Sequence, residues 1–402
     1  MMSYTLIRQL RRTALISHHI RLESTLTNLT QEDFVFRPPL AQWNKIMREA
    51  EKIVGYPTSF MNLRWLLSDE FANMAMHLRK VVDTNHPIIK TARTILYNEE
   101  NNLQPWGLII LLLAKAVNTS TSMVMANTVS EQQRTLAELT EMIRTAHYVH
   151  KGLLNMSLEE RKTADTAMFA NKIALLIGDY LMVTANGMLA TLKNQDLSYI
   201  ISTALRDLSE GEFFGERDVQ NLPFPGKPVS KNDDNFQIST DTLPLDVTNT
   251  IGLPIREWTI RTMYNGGTLF GRGCQGAVLL SEQKFDIQEK AYLFGCHLCL
   301  AWQAASELQK FTSDNKHTFS LVSAPVLFAL NDNPDLYKTI EEYKDNVSKL
   351  NYEKFKMDVL KTDAVERTKM LYLDNAEKAR EYVAVFGQSQ ATSAIRQLIK
   401  TL

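Results

Sequence analysis

Apolar residues recur along this chain at helical spacing, between helix caps, and no apolar–polar alternation runs long enough to argue for a sheet. Ser130-Glu131-Gln132-Gln133 has the form of a capping box, in which the first hydroxyl and the fourth side chain satisfy each other's free backbone N–H groups. The segment after it puts Leu136, Leu139, Ile143, Ala146 and His150 on one stripe. Near the C-terminus, Thr362 or Asp363 can cap a helix bearing Val365, Leu371, Tyr372, Ala376, Ala379 and Val383. Gly387 then supplies a stop and Ser389 a new cap. The fold class read from this pattern is all-α. The 402 residues are 45% hydrophobic, ample for a large core. A formal net charge of −1 offers no clustered basic surface, so no nucleic-acid partner is expected. Three cysteines, Cys274, Cys296 and Cys299, make no disulfide framework and point to a reducing compartment.

Three regions depart from the regular pattern. Residues 1–22 carry Arg8, Arg11, Arg12 and Arg21 with no acid, and Leu6, Ile7 and Leu10 share a helical face. An Arg-rich, acid-free amphipathic start is the signature of a mitochondrial presequence, assigned here to about residues 1–30 and ending before Trp43; a frayed basic arm is the plainer alternative. Residues 213–254 hold five of the twelve prolines and a Lys-Asn-Asp-Asp run. They read as a long surface insertion between two helices, whose order the sequence leaves open. Trp106–Ala114 and Ala167–Leu192 are strongly apolar. The first is about half of the ~20 residues a membrane span needs. The second is interrupted by Asn171, Lys172 and Asp179, so both are expected as buried helices.

Several segments, in order, carry a family resemblance. Glu49–Glu70, with its Gly-Tyr-Pro-Thr-Ser core, resembles the N-terminal region of the second-subunit branch of decaprenyl-type synthases. Phe169-Ala-Asn-Lys-Ile-Ala-Leu-Leu-Ile-Gly-Asp-Tyr-Leu181 resembles the helix after the first aspartate motif of trans-prenyl diphosphate synthases. Ser209-Glu-Gly-Glu212 is similar to their acidic turn, and Ala291–Gln303 to the helix entering their second aspartate motif. The resemblance spans roughly Trp43 to Leu402 apart from the insertion. It implies one domain of mostly antiparallel helices around a central cavity. Active members of the family join an allylic diphosphate to isopentenyl diphosphate. Two facing D-D-x-x-D motifs hold Mg²⁺ there against the departing diphosphate, and Lys and Arg side chains hold the second diphosphate.

At the positions the resemblance assigns to these motifs, the chemistry is missing. The first motif reads His150-Lys151-Gly152-Leu153-Leu154-Asn155, with Lys151, Gly152 and Asn155 where aspartates belong. The second reads Ser306-Glu307-Leu308-Gln309-Lys310, where Glu307 is the one acid left, between Ser306 and Lys310. Leu103, Gln104 and Trp106 replace a lysine and two arginines of the homoallylic diphosphate site. Arg161, beside Glu159 and Glu160, is what is left of an arginine pair. Asn265-Gly266 replaces a Lys-Thr motif. The resemblance therefore implies no catalytic residue and no metal bound by this chain. It implies Mg²⁺ in a catalytic polyprenyl diphosphate synthase partner, and a heteromeric, usually heterotetrameric, complex in the mitochondrial matrix that makes the ubiquinone side chain. Peripheral contact with the inner membrane belongs to the same picture.

Two other classes stay open from the sequence. One is a diverged enzyme that takes Glu307, Glu210 and Glu212 as metal ligands. The other is a module that holds an isoprenoid without chemistry. Lys172 and Asp179 are expected to be buried and paired, since a buried charge without a partner is costly. Cys296-His297-Leu298-Cys299 has a metal-like look but no second ligand cluster, so core thiols are expected. His150 is read as structural. Gly266-Gly267 either permits a close helix approach or marks a kink, at about 1 kcal/mol per glycine in a helix interior. Methionines such as Met74, Met76, Met123 and Met125 are expected as core filling.

Overall fold

In the computed structural model, Ser130 accepts a hydrogen bond from the Gln133 amide, and the Gln133 side chain returns to the Ser130 amide, so the capping box forms as its spacing predicts. The structure describes residues 40–56, 58, 105–120, 129–156, 165–229, 236–312 and 319–401. The proposed presequence, the family-like segment beyond residue 58, Leu103, Gln104, Glu159, Glu160, Arg161 and the four named methionines lie outside them. The described residues fall within one compact unit, Leu40–Leu402.

Thirteen α-helices are present among the described residues: α1 Leu40–Val54, α2 Trp106–Ser120, α3 Glu131–Lys151, α4 Asp165–Thr191, α5 Gln195–Glu210, α6 Pro254–Thr262, α7 Thr268–Leu279, α8 Phe285–Thr312, α9 Ala324–Asp332, α10 Asp335–Glu341, α11 Tyr352–Val359, α12 Ala364–Ala384 and α13 Gln390–Lys400. There is no strand among them. One isolated bridge joins Arg217 and Pro223.

Helix α7 is the axis. Every residue from Thr268 to Val278 is buried, and α2, α3, α5 and α8 pack around it. A helix covered on all sides needs no polar face. Helix α2 is likewise buried, as its unbroken apolar run predicts. Gln133 ties the start of α3 to the end of α7 by donating to the Ala277 carbonyl and to Ser281. Helix α8 lies between α7 and α12, and Trp302 on it meets Trp43 of α1 edge to face at 6.0 Å. At the C-terminus Gly387 turns the chain at φ 76° and Ser389 caps α13, again through a reciprocal box with Thr392.

Two expectations fail. Helix α4 is not buried all round. Ile173, Ala174, Ile177, Leu181 and Ala185 face inward, with α3 packed against the helix, while Met168, Leu175, Leu176 and Val183 are exposed, Val183 by 71%. By length and composition alone α4 could cross a membrane. Lys172 is also exposed and makes no ion pair among the described residues. Hydropathy registers how apolar a stretch is, not which neighbour covers it, so it could not separate a core helix from one with an open apolar face.

The connection between α5 and α6 is fastened by arginines from three helices. Arg206 of α5 donates to the Thr242 and Leu243 carbonyls at 3.1 and 3.0 Å. Arg272 of α7 reaches the Thr240 and Asp241 carbonyls. Arg261 of α6 donates to those of Phe214 and Phe224. Buried Glu257 accepts from Arg261 and from the Gly226 and Gly252 amides. Loop backbone in contact with a core must have its polar groups satisfied, and here long side chains do it in place of a ladder. Phe214 and Phe224 of this connection are buried while Phe213, Val219, Leu243 and Val247 are exposed, so its described part is a surface strap anchored at buried points.

Candidate functional site

The C-terminal end of α3 and the middle of α8 open on one cavity of about 720 Å³. From α3 and the turn after it come His147, His150, Lys151, Leu153 and Asn155; from α8 come Gln303 and Glu307. The strap adds Glu212, Arg217 and Asn221, and the α6 side adds Trp258, Arg261, Tyr264 and Asn265. Of the residues singled out in the sequence, Lys151, Asn155, Glu307 and Asn265 therefore share a cleft. Gly152, Ser306, Lys310, Trp106 and Gly266 do not line it.

Lys151 is the last residue of α3, where a cation suits the negative end of the helix dipole. Its ammonium donates to Asn265 Oδ1 and lies 3.7 Å from Glu212. Loss of water lowers its pKa, the Glu212 carboxylate raises it, and Arg217 lowers it again. Glu212 also meets Arg217 at 3.5 Å and accepts from Asn221. Asn155 lines the cleft and donates to the Val219 carbonyl of the strap.

Glu307 is spent on structure. Its Oε2 accepts from the Trp258 indole at 2.9 Å and from the Ala324 amide at 2.8 Å, and its Oε1 accepts from Gln303 at 2.7 Å. Ala324 opens α9, whose own N-cap, Ser323, makes no side-chain cap bond. Glu307 thus caps a helix from across the core. Burial raises its pKa, and the Ala324 amide, Gln303 and Trp258 oppose that by stabilising the carboxylate. Glu210 accepts from Tyr264 and lies 3.8 Å from Arg206. Glu307, Glu210 and Glu212 do not converge. Among the described residues no group of three or more His, Cys, Asp and Glu side chains could hold a metal ion.

Of the positions matched to the homoallylic diphosphate site, Trp106 is described and is packed into the core. Trp106 is 2% exposed, stacks on Phe270 at 5.0 Å and lies under the Arg144 guanidinium at 4.3 Å. Glu141 pairs with Arg144 and accepts from the Gly107 amide at the start of α2. Opposite stands a single π-helical turn, Met263–Gly267, in which Gly266 has φ 128°. A Cβ there would lie 2.6 Å from the Trp106 ring. The glycine pair therefore serves both purposes raised by the sequence: Gly266 kinks the helix and admits a neighbour. The two positions are complementary, since the indole occupies what a Cβ at residue 266 would need.

His150 lines the cleft and packs against α4. It lies across Gly178, where a Cβ would fall 2.1 Å from its Nε2, and that nitrogen is 3.3 Å from Asp179 on α4. Asp179 therefore has a partner but is exposed rather than buried. Asn171 brackets the turn after α3, accepting from the Leu154 amide and donating to its carbonyl. Neither Cys296 nor Cys299 faces a ligand set; both are buried thiols whose pKa burial raises, for Cys299 to about 12. His297 bonds Asn375 at 2.8 Å and stacks on Tyr382, and burial lowers its pKa to about 4. His147 is lowered further, to about 3, by burial and by Lys151. Arg217 and Trp258 carried no sequence signal: one sits in an irregular strap, the other reads as ordinary core.

A helical bundle whose cleft lies between the end of α3 and the middle of α8 belongs to the class of helical isoprenoid synthases. Solved structures share this fold: heptaprenyl diphosphate synthase from Staphylococcus aureus (TM-score 0.56, 15% identity, 83% of this chain and 96% of that one) and a decaprenyl diphosphate synthase from Rhodobacter capsulatus (0.54, 16%, 85% and 97%). No protein-family model matches the sequence. Curated relatives do. The all trans-polyprenyl-diphosphate synthase PDSS2 of Mus musculus is 34% identical over 374 residues, covering 89% of this chain and 86% of that protein. Its Homo sapiens counterpart is 35% identical over 375 residues, covering 89% and 87%. The decaprenyl-diphosphate synthase of Dictyostelium discoideum is 26% identical over 402 residues. The chain belongs to the all-trans-polyprenyl-diphosphate synthase family, in the branch typified by PDSS2.

Proposed function

We propose that this chain is the non-catalytic subunit of a heteromeric all-trans-polyprenyl diphosphate synthase. It is needed for activity but does not itself transfer a prenyl group. The observation that carries this reading is Lys151: the cleft end of α3 presents an ammonium bonded to Asn265 and paired with Glu212. A cation at that place repels Mg²⁺ and leaves the departing diphosphate without its counter-ion. Glu307 gives no relief, since both of its oxygens serve Trp258, Ala324 and Gln303. Magnesium and both diphosphates then belong to a catalytic partner of the same family.

The exposed apolar side of α4, through Met168, Leu175, Leu176 and Val183, is the surface we assign to that partner. Exposed Lys172 and Asp179 stand on that same face, so it offers a partner apolar contact with two charges inside it. The remaining parts of the reading are a heterotetramer, the ubiquinone side chain as the product's destination, residues 1–30 as a mitochondrial presequence, and the matrix as the location. The Neurospora crassa relative named as a probable mitochondrial hexaprenyl pyrophosphate synthase accords with that location.

The test is reconstitution. Purified full-length chain with Mg²⁺, farnesyl diphosphate and isopentenyl diphosphate is expected to give no product. Mixed with a catalytic subunit that is inactive alone, it is expected to restore elongation. Turnover by the chain alone, in a host deleted for its own synthase, would refute the reading.

A further inference from the structure

We propose that Lys151 is a tethered, part-exposed cation that fastens the cleft in one arrangement, so that its shape requires neither a metal nor a diphosphate. Three separate parts of the chain meet at this ammonium: the end of α3 that carries it, the π-helical turn through Asn265, and the turn after α5 through Glu212 at 3.7 Å. Glu212 is the hub of a second set of ties. Arg217 lies 3.5 Å from it and also donates to the Gly211 and Asn221 carbonyls at 2.8 and 2.9 Å. Asn221 donates to Glu212 in turn. Asn155, just past Lys151, donates to the Val219 carbonyl at 3.2 Å. The strap from Gly211 to Phe224 is thus held to α3 on two sides, with Arg261 holding the Phe214 and Phe224 carbonyls from behind.

A bound divalent ion would join such elements only while it is present. An ammonium on a covalent stem joins them at all times, and hydrogen bonds to charged groups are the stronger kind. The inference concerns this chain's own cleft and does not depend on the proposed subunit role.

Amide hydrogen exchange on the full-length chain tests it. Lys151→Ala is expected to speed exchange about tenfold at residues 211–224 while leaving the α8–α12 core protected. Lys151→Arg, which keeps the charge, should stay near wild type. Glu212→Gln cuts the same tie from the strap side and should loosen the same residues, which keeps the test alive if Lys151→Ala folds poorly. Adding Mg²⁺ with inorganic pyrophosphate to the wild-type chain should change nothing at 211–224. The proposal fails if both tie-cutting variants exchange like wild type there, or if Mg²⁺ with pyrophosphate slows wild-type exchange severalfold.

Discussion

Two corners of the molecule, one in the core beside the cleft and one in the cleft itself, are held in different ways. At the core corner an indole fills the space: Trp106 lies between Phe270 and Arg144, and Gly266 makes way for it. At the first-motif corner space remains, and charges bridge it through Lys151, Glu212, Arg217 and Asn221. Close packing is unforgiving to a change of shape, because interiors are dense and a misplaced methyl group has nowhere to go. A partly solvated ionic network is softer, since water and side-chain freedom absorb much of any single loss. Stability should therefore reside in the first corner and conformational control in the second.

The sharpest way to break that contrast is Gly266→Val. It forces a β-branched residue to φ 128° and drives it into Trp106, and about 4 kcal/mol or more of stability should be lost in urea unfolding. Trp106→Ala alone should cost about 3–5 kcal/mol. Combined, the two should cost less than their sum, because removing the indole relieves the clash and leaves only the backbone strain. Strict additivity would mean that the two positions do not share the space assigned to them. Next comes Glu307→Ala, which strands the Trp258, Ala324 and Gln303 donors and should cost about 3 kcal/mol. Mg²⁺ should not alter that loss.

Acid sharpens the comparison further. His147 lies at the ionic corner and His297 in the α8–α12 core, and both have pKa values lowered from 6.5, to about 3 and about 4. Depressed histidine values mean that the unfolded chain takes up protons first. Stability is therefore full above pH 6.5 and falls as the pH drops toward the folded values. Each histidine should account for about 1 kcal/mol lost between pH 6.5 and 5.5. His297→Asn should remove one share of that slope in unfolding measurements at the two pH values. The smallest effect on the isolated chain belongs to the open face of α4. Val183→Glu should leave its stability within about 0.5 kcal/mol yet abolish co-purification with the proposed catalytic partner.

What the sequence revealed was mostly local. Ser130, Gly387 and Ser389 mark helix ends because a cap is decided by residues three or four apart. The buried run of α2 and the core thiols Cys296 and Cys299 were also legible. The Trp106–Gly266 fit was only half legible: the glycine pair suggested a kink or a close approach, but nothing in the sequence named the indole as the neighbour. Nor did anything reveal the role of Glu307, which looked like a remaining metal ligand but caps a helix seventeen residues further on. Arg206, Arg261 and Arg272 hold a strap that composition marked merely as rich in proline. Their partners there are carbonyl oxygens, which no residue pattern advertises.

Calorimetric titration of the purified chain with Mg²⁺, in the presence of inorganic pyrophosphate, tests most directly whether this cleft has lost its metal chemistry. The account predicts no saturable heat at any metal concentration that supports a family member with intact aspartate motifs. Saturable, pyrophosphate-dependent Mg²⁺ binding by the wild-type chain would contradict it.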